Sequence, residues 1–252
     1  MLHKSTYNIH NLLIRCTTLS LFIFITANIK AQPLPINKYG LQIVNNTAQL
    51  KETIAKDSSM QMLSLTHYIP GIIIDLKYTS SHNFLNRPIY PTKTKNTFLR
   101  MPAAIALKQV QAELKDKGLS LKIWDAYRPY SATEKMWEPV RDERYAANPK
   151  YGSGHNRGIA VDLTLVDIKT GKELNMGTGF DNFSDTAHTN YKNLSEEVLQ
   201  NRETLRYVME KYGFKVLETE WWHFYLPDSK KYALMDLSFK TLKKLWKQTS
   251  SK

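Results

Sequence analysis

Apolar residues recur along this chain with two periods, and each change of period marks a new element. Over residues 101–117, Ile105, Leu107, Val110 and Leu114 fall near helical spacing, and Gly118 follows as a natural stop. Residues 119–124 alternate and predict a strand. Residues 159–166 alternate more cleanly, with Ile159, Val161, Leu163 and Leu165 on one face and Ala160, Asp162 and Thr164 on the other. If the apolar set faces the core, the Asp162 carboxylate is sent to the opposite, open face.

A second long helix is predicted from Ser195, acting as its N-cap, to Gly213, with Val198, Leu199, Leu205, Val208, Met209 and Tyr212 as the buried stripe. Ser131 followed by Glu134 reads as a capping box that opens a helix running to about Tyr145. Residues 214–217 and 221–226 pair as a final hairpin, with Glu218, Thr219 and Glu220 at or near its turn. A basic terminal helix is expected over about 232–247. Residues 69–78 read as a turn and a strand, and 79–97 and 148–158 as polar loops. Residues 32–60 lack clear periodicity and are expected to wrap the domain or fray. Helices and strands interleave without regular βαβ units, so the expected fold is a single α+β domain with a largely antiparallel sheet.

The first 31 residues have a different character. Lys4 and Arg15 precede a short apolar run from Leu19 to Ala27, and Ile29-Lys30-Ala31 offers a cleavage site, so residues 1–31 read as a secretory signal. That run falls well short of the ~20 apolar residues needed to span a bilayer. The expected location is therefore the exported side of the membrane, periplasm or cell envelope, with no stable insertion after cleavage. Cys16, the only cysteine, lies inside this segment, so a mature chain of residues 32–252 has neither disulfides nor thiolate ligands. Loss of Lys4, Arg15 and Lys30 with no acids lowers the formal net charge from +12 to +9. Much of the remaining excess lies in the tail at Lys240, Lys243, Lys244, Lys247 and Lys252. No nucleic-acid motif accompanies it, and a solvated basic helix explains it without a nucleic-acid partner.

Candidate chemistry is concentrated in two short runs. Ser153-Gly154-His155-Asn156-Arg157-Gly158-Ile159-Ala160-Val161-Asp162 carries a loop histidine and a strand carboxylate. Glu220-Trp221-Trp222-His223 carries a second imidazole and a second carboxylate. Two imidazoles and a carboxylate can hold a metal with an open position for water, and the remaining carboxylate can serve as the base. Glu220 fits that role only from the turn or across a bulge, because residues three apart on a regular strand point to opposite faces. Trp221 and Trp222 suit either a low-dielectric wall beside Glu220 or plain core packing. Arg128 suits either an oxyanion partner or a salt bridge with Asp125.

Those two runs, together with Asp125-Ala126-Tyr127-Arg128-Pro129, Met176-Gly177-Thr178-Gly179-Phe180-Asp181 and Asp75-Leu76-Lys77-Tyr78, closely resemble the D-alanyl-D-alanine dipeptidases of the VanX type. These are zinc D,D-peptidases of the Hedgehog-like metallopeptidase fold. The resemblance covers about residues 68–228, in the family's order. It implies one Zn2+ held by His155, Asp162 and His223, Glu220 as general acid/base, and Arg128 steadying the tetrahedral intermediate. It also implies Ser153 and Asp181 around the substrate, Asp181 facing its free amino group. The implied reaction is hydrolysis of the D-Ala-D-Ala dipeptide in cell-wall peptide turnover. A carboxypeptidase or endopeptidase acting on peptidoglycan stem peptides is the nearest alternative, and a non-catalytic envelope-binding module is a more distant one.

Overall fold

A computed structural model describes residues 34–250, which belong to one compact unit, and the segment read as a secretory signal lies outside them. The core of the fold is a five-stranded sheet in the order β3 (Ile73–Ile74), β5 (Leu119–Asp125), β6 (Ala160–Asp167), β8 (Glu220–Tyr225), β7 (Lys215–Leu217). β3 runs parallel to β5 and the other pairings are antiparallel. Two smaller ladders flank it: β1 (Ile43–Val44) parallel with β9 (Leu234–Met235), and β2 (Met62–Ser64) antiparallel with β4 (Phe98–Arg100).

Two long helices cover one side. α3 (Met101–Asp116) opens with Pro102 in its first turn, where the missing N–H costs nothing, and buries Leu107, Val110 and Leu114. α6 (Glu196–Lys211) starts at Ser195, whose hydroxyl accepts the Val198 N–H, and carries Glu196 and Glu197 in its first turn, where they favour the helix dipole. Its buried face includes Arg202 in place of the expected Leu199. The guanidinium is satisfied by the carbonyl oxygens of Met176, Thr186 and His188, so α6 holds the 176–188 loop by hydrogen bonds as well as by packing.

Several expected boundaries move. The stretch read as aperiodic contains α1 (Thr47–Lys56), whose apolar stripe is thin because Leu50 is its only buried residue. Asn46 caps it by accepting the Gln49 N–H. The 69–78 strand shrinks to the two residues of β3. α4 (Tyr130–Val140) begins a residue before Ser131, whose backbone and hydroxyl both donate to Asp236 Oδ1 and make no capping box. It ends at Val140, not near Tyr145: Pro139 lies in its last turn and Arg141 takes a left-handed conformation at φ 49°. The final helix, α7 (Phe239–Ser250), starts later than expected because residues 232–238 are used by β9 and by the buried Tyr127 hydroxyl, which donates to the Leu237 carbonyl.

Two differences bear on the site. The 148–158 loop contains a single-turn helix, α5 (Gly154–Arg157), as short as α2 (Leu65–Tyr68). And β6 has no open face, because as the middle strand it is covered on both sides: Ala160, Asp162 and Thr164 are as buried as Val161 and Leu163. α5 lies directly on it, so close that a Cβ on Gly154 would come within 2.9 Å of Ala160 Cβ.

Gly158 ends α5 at φ +71°, and its carbonyl accepts the Arg100 N–H at 2.7 Å. A Cβ there would sit 2.9 Å from Met62 Cε in a conformation L-residues disfavour. Gly158→Ala is expected to cost about 1–3 kcal/mol of stability, read as a lowered denaturant midpoint at unchanged m-value.

Candidate metal centre and its pocket

Asp162 and His223 are register partners on β6 and β8, so their side chains leave the sheet side by side. His155 reaches the same point from α5. Its Nε2 lies 3.2 Å from His223 Nδ1 and 3.4 Å from Asp162 Oδ2, and His223 Nδ1 lies 2.9 Å from Asp162 Oδ1. One donor atom from each residue falls within 4.8 Å of the others, the only such cluster of three or more among the described residues. The sequence had put His155 on a loop; a capped turn places it more rigidly. Ser153 accepts the Asn156 N–H, and the Asn156 side chain accepts the Ser153 N–H in return.

The tautomer of His155 is set by its surroundings. Nδ1 lies 2.8 Å from the Ala126 carbonyl, so it carries the proton and leaves the Nε2 lone pair facing Asp162 and His223. Burial opposes protonation of His223, but the adjoining Asp162 carboxylate outweighs it and raises the imidazole pKa. Burial also penalises the Asp162 anion, and the two imidazoles more than offset that, holding its pKa below the usual carboxylate range. A dication would replace those protons as the partner of the carboxylate. Two nitrogens and one carboxylate oxygen, without sulfur, match the donor set of a catalytic zinc site.

Glu220 meets the condition set by strand geometry. β8 pairs regularly with β7 at Val216↔Phe224, but the next pair is Leu217↔Glu220, a register shift that bulges β8 between Glu220 and His223. Glu220 Oε2 consequently lies 3.9 Å from His223 Nδ1. Burial pushes its carboxyl above the ordinary glutamate range, and the nearby histidines only partly counter this. Trp221 and Trp222 are themselves core residues, packed edge-on to each other and against Trp124 and Phe180.

Arg128 and Asp125 form a buried pair, not a surface salt bridge. Arg128 Nε and Nη2 donate to Asp125 Oδ2 at 3.0 and 2.7 Å, while Tyr90 and the Ala126 N–H donate to Oδ1. The guanidinium lies 5.2 Å from the Tyr78 ring centre. Asn156 is fully buried and ties α5 to this loop by donating to the Arg128 carbonyl. The sequence offered one clue to it, the S-x-x-N spacing of a cap.

Asp181 approaches from the 176–188 loop in a left-handed conformation, φ 56°. Burial pushes its carboxyl up to about 7, against hydrogen bonds from the Phe84 N–H and the Tyr78 hydroxyl. Tyr78 thus lies between Arg128 and Asp181, a link no local pattern could reveal. Arg128, Ser153, His155, Asp162, Asp181, Glu220 and His223 all line one cavity of about 280 Å3. That is just below the ~300–1,000 Å3 of pockets for drug-sized ligands. The Ser153 hydroxyl is taken up in capping α5, so its part in the cavity wall is structural as well.

A buried His–Asp–His cluster beside a carboxylate of raised pKa defines a hydrolytic metal centre as a class. The family model described as D-Ala-D-Ala dipeptidase, of the M15 peptidases, matches residues 58–242. The D-alanyl-D-alanine dipeptidase of Escherichia coli is 34% identical over 175 residues, covering 69% of this chain and 89% of that protein. Its namesake from Enterococcus faecalis is 31% identical over 184 residues, covering 66% and 91%. A solved LdcB LD-carboxypeptidase aligns at 20% identity and TM-score 0.36 over 60% of this chain and 65% of its own. The chain belongs to the D-Ala-D-Ala dipeptidase family of M15 peptidases, and His155, Asp162 and His223 form its possible metal site.

Proposed function

We propose that this protein hydrolyses the free D-Ala-D-Ala dipeptide to two D-alanines, on the exported side of the membrane and in the turnover of wall peptides. The observation that carries this is the small cavity in which the His155/Asp162/His223 cluster, Glu220, Arg128 and Asp181 all meet. The names of its relatives support the substrate. A zinc ion bound by the three ligands would lower the pKa of water and polarise the scissile carbonyl.

The chain's own residues supply the rest. Glu220, with its raised affinity for a proton, takes one from the attacking water and passes it to the leaving amine. Arg128, held rigid by Asp125 and Tyr78, lines the cavity with its positive charge, where charge develops on the carbonyl oxygen. Asp181 pairs with the substrate ammonium and so recognises the free amino end of a dipeptide.

Hydrolysis of free D-Ala-D-Ala, compared with L-Ala-L-Ala and with a blocked stem pentapeptide, tests the proposal. Cleavage confined to the free D,D-dipeptide is expected. Cleavage of the pentapeptide alone would favour a carboxypeptidase, and no cleavage of any of them by zinc-loaded protein would favour a binding module.

Asp181 can pair with an ammonium only as a carboxylate. With its pKa pushed up to about 7, it is protonated below that pH and charged above it. kcat/KM should therefore rise with pH through the neutral range. Asp181→Asn should raise KM by about 10–100-fold with a smaller change in kcat, the worth of one charge-assisted hydrogen bond. Steady-state kinetics across pH 5–9 check both.

A further inference from the structure

A second cavity, of about 790 Å3, lies apart from the metal pocket and shares no lining residue with it. It lies where the 89–96 loop meets the starts of α4 and α7. Buried Tyr90, Phe98, Ala132 and Phe239 contribute to its apolar wall. Its charge is one-sided. Lys93, Lys95, Lys135, Lys240 and Lys243 line it against a single carboxylate, Asp236. All five lysines are exposed, and none makes an ion pair within the described residues. Asp236 is already committed to the Ser131 N–H and hydroxyl.

Two further features add positive potential. Pro129 and Ser131 belong to the N-terminal end of the 11-residue α4, and Ser238 and Phe239 to that of the 12-residue α7, so both helix dipoles present their positive ends to the cavity. Unpaired like charges held around one concavity repel one another, and an anion relieves that repulsion. Lysine, a hydrated point charge, suits phosphate by charge and does not demand a planar, bidentate partner. The lysines come from three chain segments, and the basic face of α7 continues beyond the cavity at Lys244. This favours a ligand longer than the cavity. The Tyr90, Phe98 and Phe239 rings here are buried in the wall and His67 alone is exposed, so no run of exposed rings is offered for stacking successive bases.

We propose that this cavity is a binding site for a linear phosphate-bearing polyanion without nucleobases, which would tether the protein to an anionic polymer while the separate metal pocket acts on its small substrate. The proposal does not depend on the dipeptidase assignment, and its test does not use dipeptide hydrolysis as the binding readout.

The probe is end-labelled inorganic polyphosphate, titrated into the full, zinc-loaded chain at several salt concentrations. Two variants are compared: Lys93→Gln/Lys95→Gln/Lys135→Gln/Lys240→Gln/Lys243→Gln, and a charge-matched control with Lys51, Lys115, Lys117, Lys169 and Lys172 changed to Gln. Saturable binding is expected, weakening with salt. The cavity variant should lose at least about tenfold in affinity and show a shallower salt slope, and the control should lose less than about threefold. Both should retain wild-type D-Ala-D-Ala kinetics. Equal losses in the two variants would overturn the proposal, reducing the effect to net charge. So would tighter binding of single-stranded DNA, full competition by inorganic phosphate at equal phosphorus, or binding to phosphatidylglycerol vesicles without binding to polyphosphate.

Discussion

Glu220→Gln should lower kcat for dipeptide hydrolysis by about 10²–10⁴-fold, the usual worth of a positioned general acid/base. The substitution keeps the volume and the strand, so the bulge that brings residue 220 to within 3.9 Å of His223 survives. What it removes is the ability to take and return a proton at the point where burial has tuned the carboxyl upward. Because Glu220 is not in the cluster of His155, Asp162 and His223, zinc content should remain near one per chain. KM should change little, since the carboxyl acts on the proton in flight more than on the bound dipeptide. Metal analysis beside steady-state kinetics separates the roles. A variant with wild-type kcat would refute the assignment, and one that loses zinc would make Glu220 a ligand.

Asp162→Asn should have the opposite signature, losing metal first and activity as a consequence. Asp162 is the anionic member of the cluster, 2.9 Å from one imidazole and 3.4 Å from the other. The amide keeps the shape but not the charge, leaving only neutral donors for a dication. Zinc affinity should fall by more than about 100-fold, beyond the range seen for loss of a merely supporting partner. Activity should drop to background at limiting zinc and recover in part with excess metal. Both imidazoles must also be unprotonated to coordinate, so wild-type activity should be lost in acid; a flat profile down to about pH 4 would contradict the metal mechanism. Stoichiometric zinc with full kcat/KM in Asp162→Asn would remove this residue from the centre.

How much of this was legible in the sequence depended on how far each feature reaches. α3, β5, β6 and α6 announce themselves because each is long enough to show its period, and Ser195 and Gly118 mark two of their ends. α5 has four residues, too few to show any period, and its cap could be inferred only by weighing Ser153 against Asn156. The alternation in β6 sorted its side chains correctly into two faces but could not reveal that α5 covers the second, because that contact depends on tertiary packing. The cluster of His155, Asp162 and His223 was readable from residue types. The bulge that rescues Glu220 was readable only as a requirement. Tyr78, Asn156 and Arg202, which position Arg128, α5 and the Asp181 loop, were missed in those roles because their partners lie far away in sequence or are backbone carbonyls, which carry no compositional signal.

The pairing of Asp162 with His223 across β6 and β8 has a consequence for folding fidelity. A slip of one residue between these central strands would carry one of the two side chains to the far side of the sheet, into the hydrophobic interior. A chain mispaired in this way loses its metal-binding geometry as well as its packing. An ion captured by this site would therefore act as proofreading: only correctly threaded molecules would hold it, and its binding free energy would add to the gap between the right alignment and its nearest competitors.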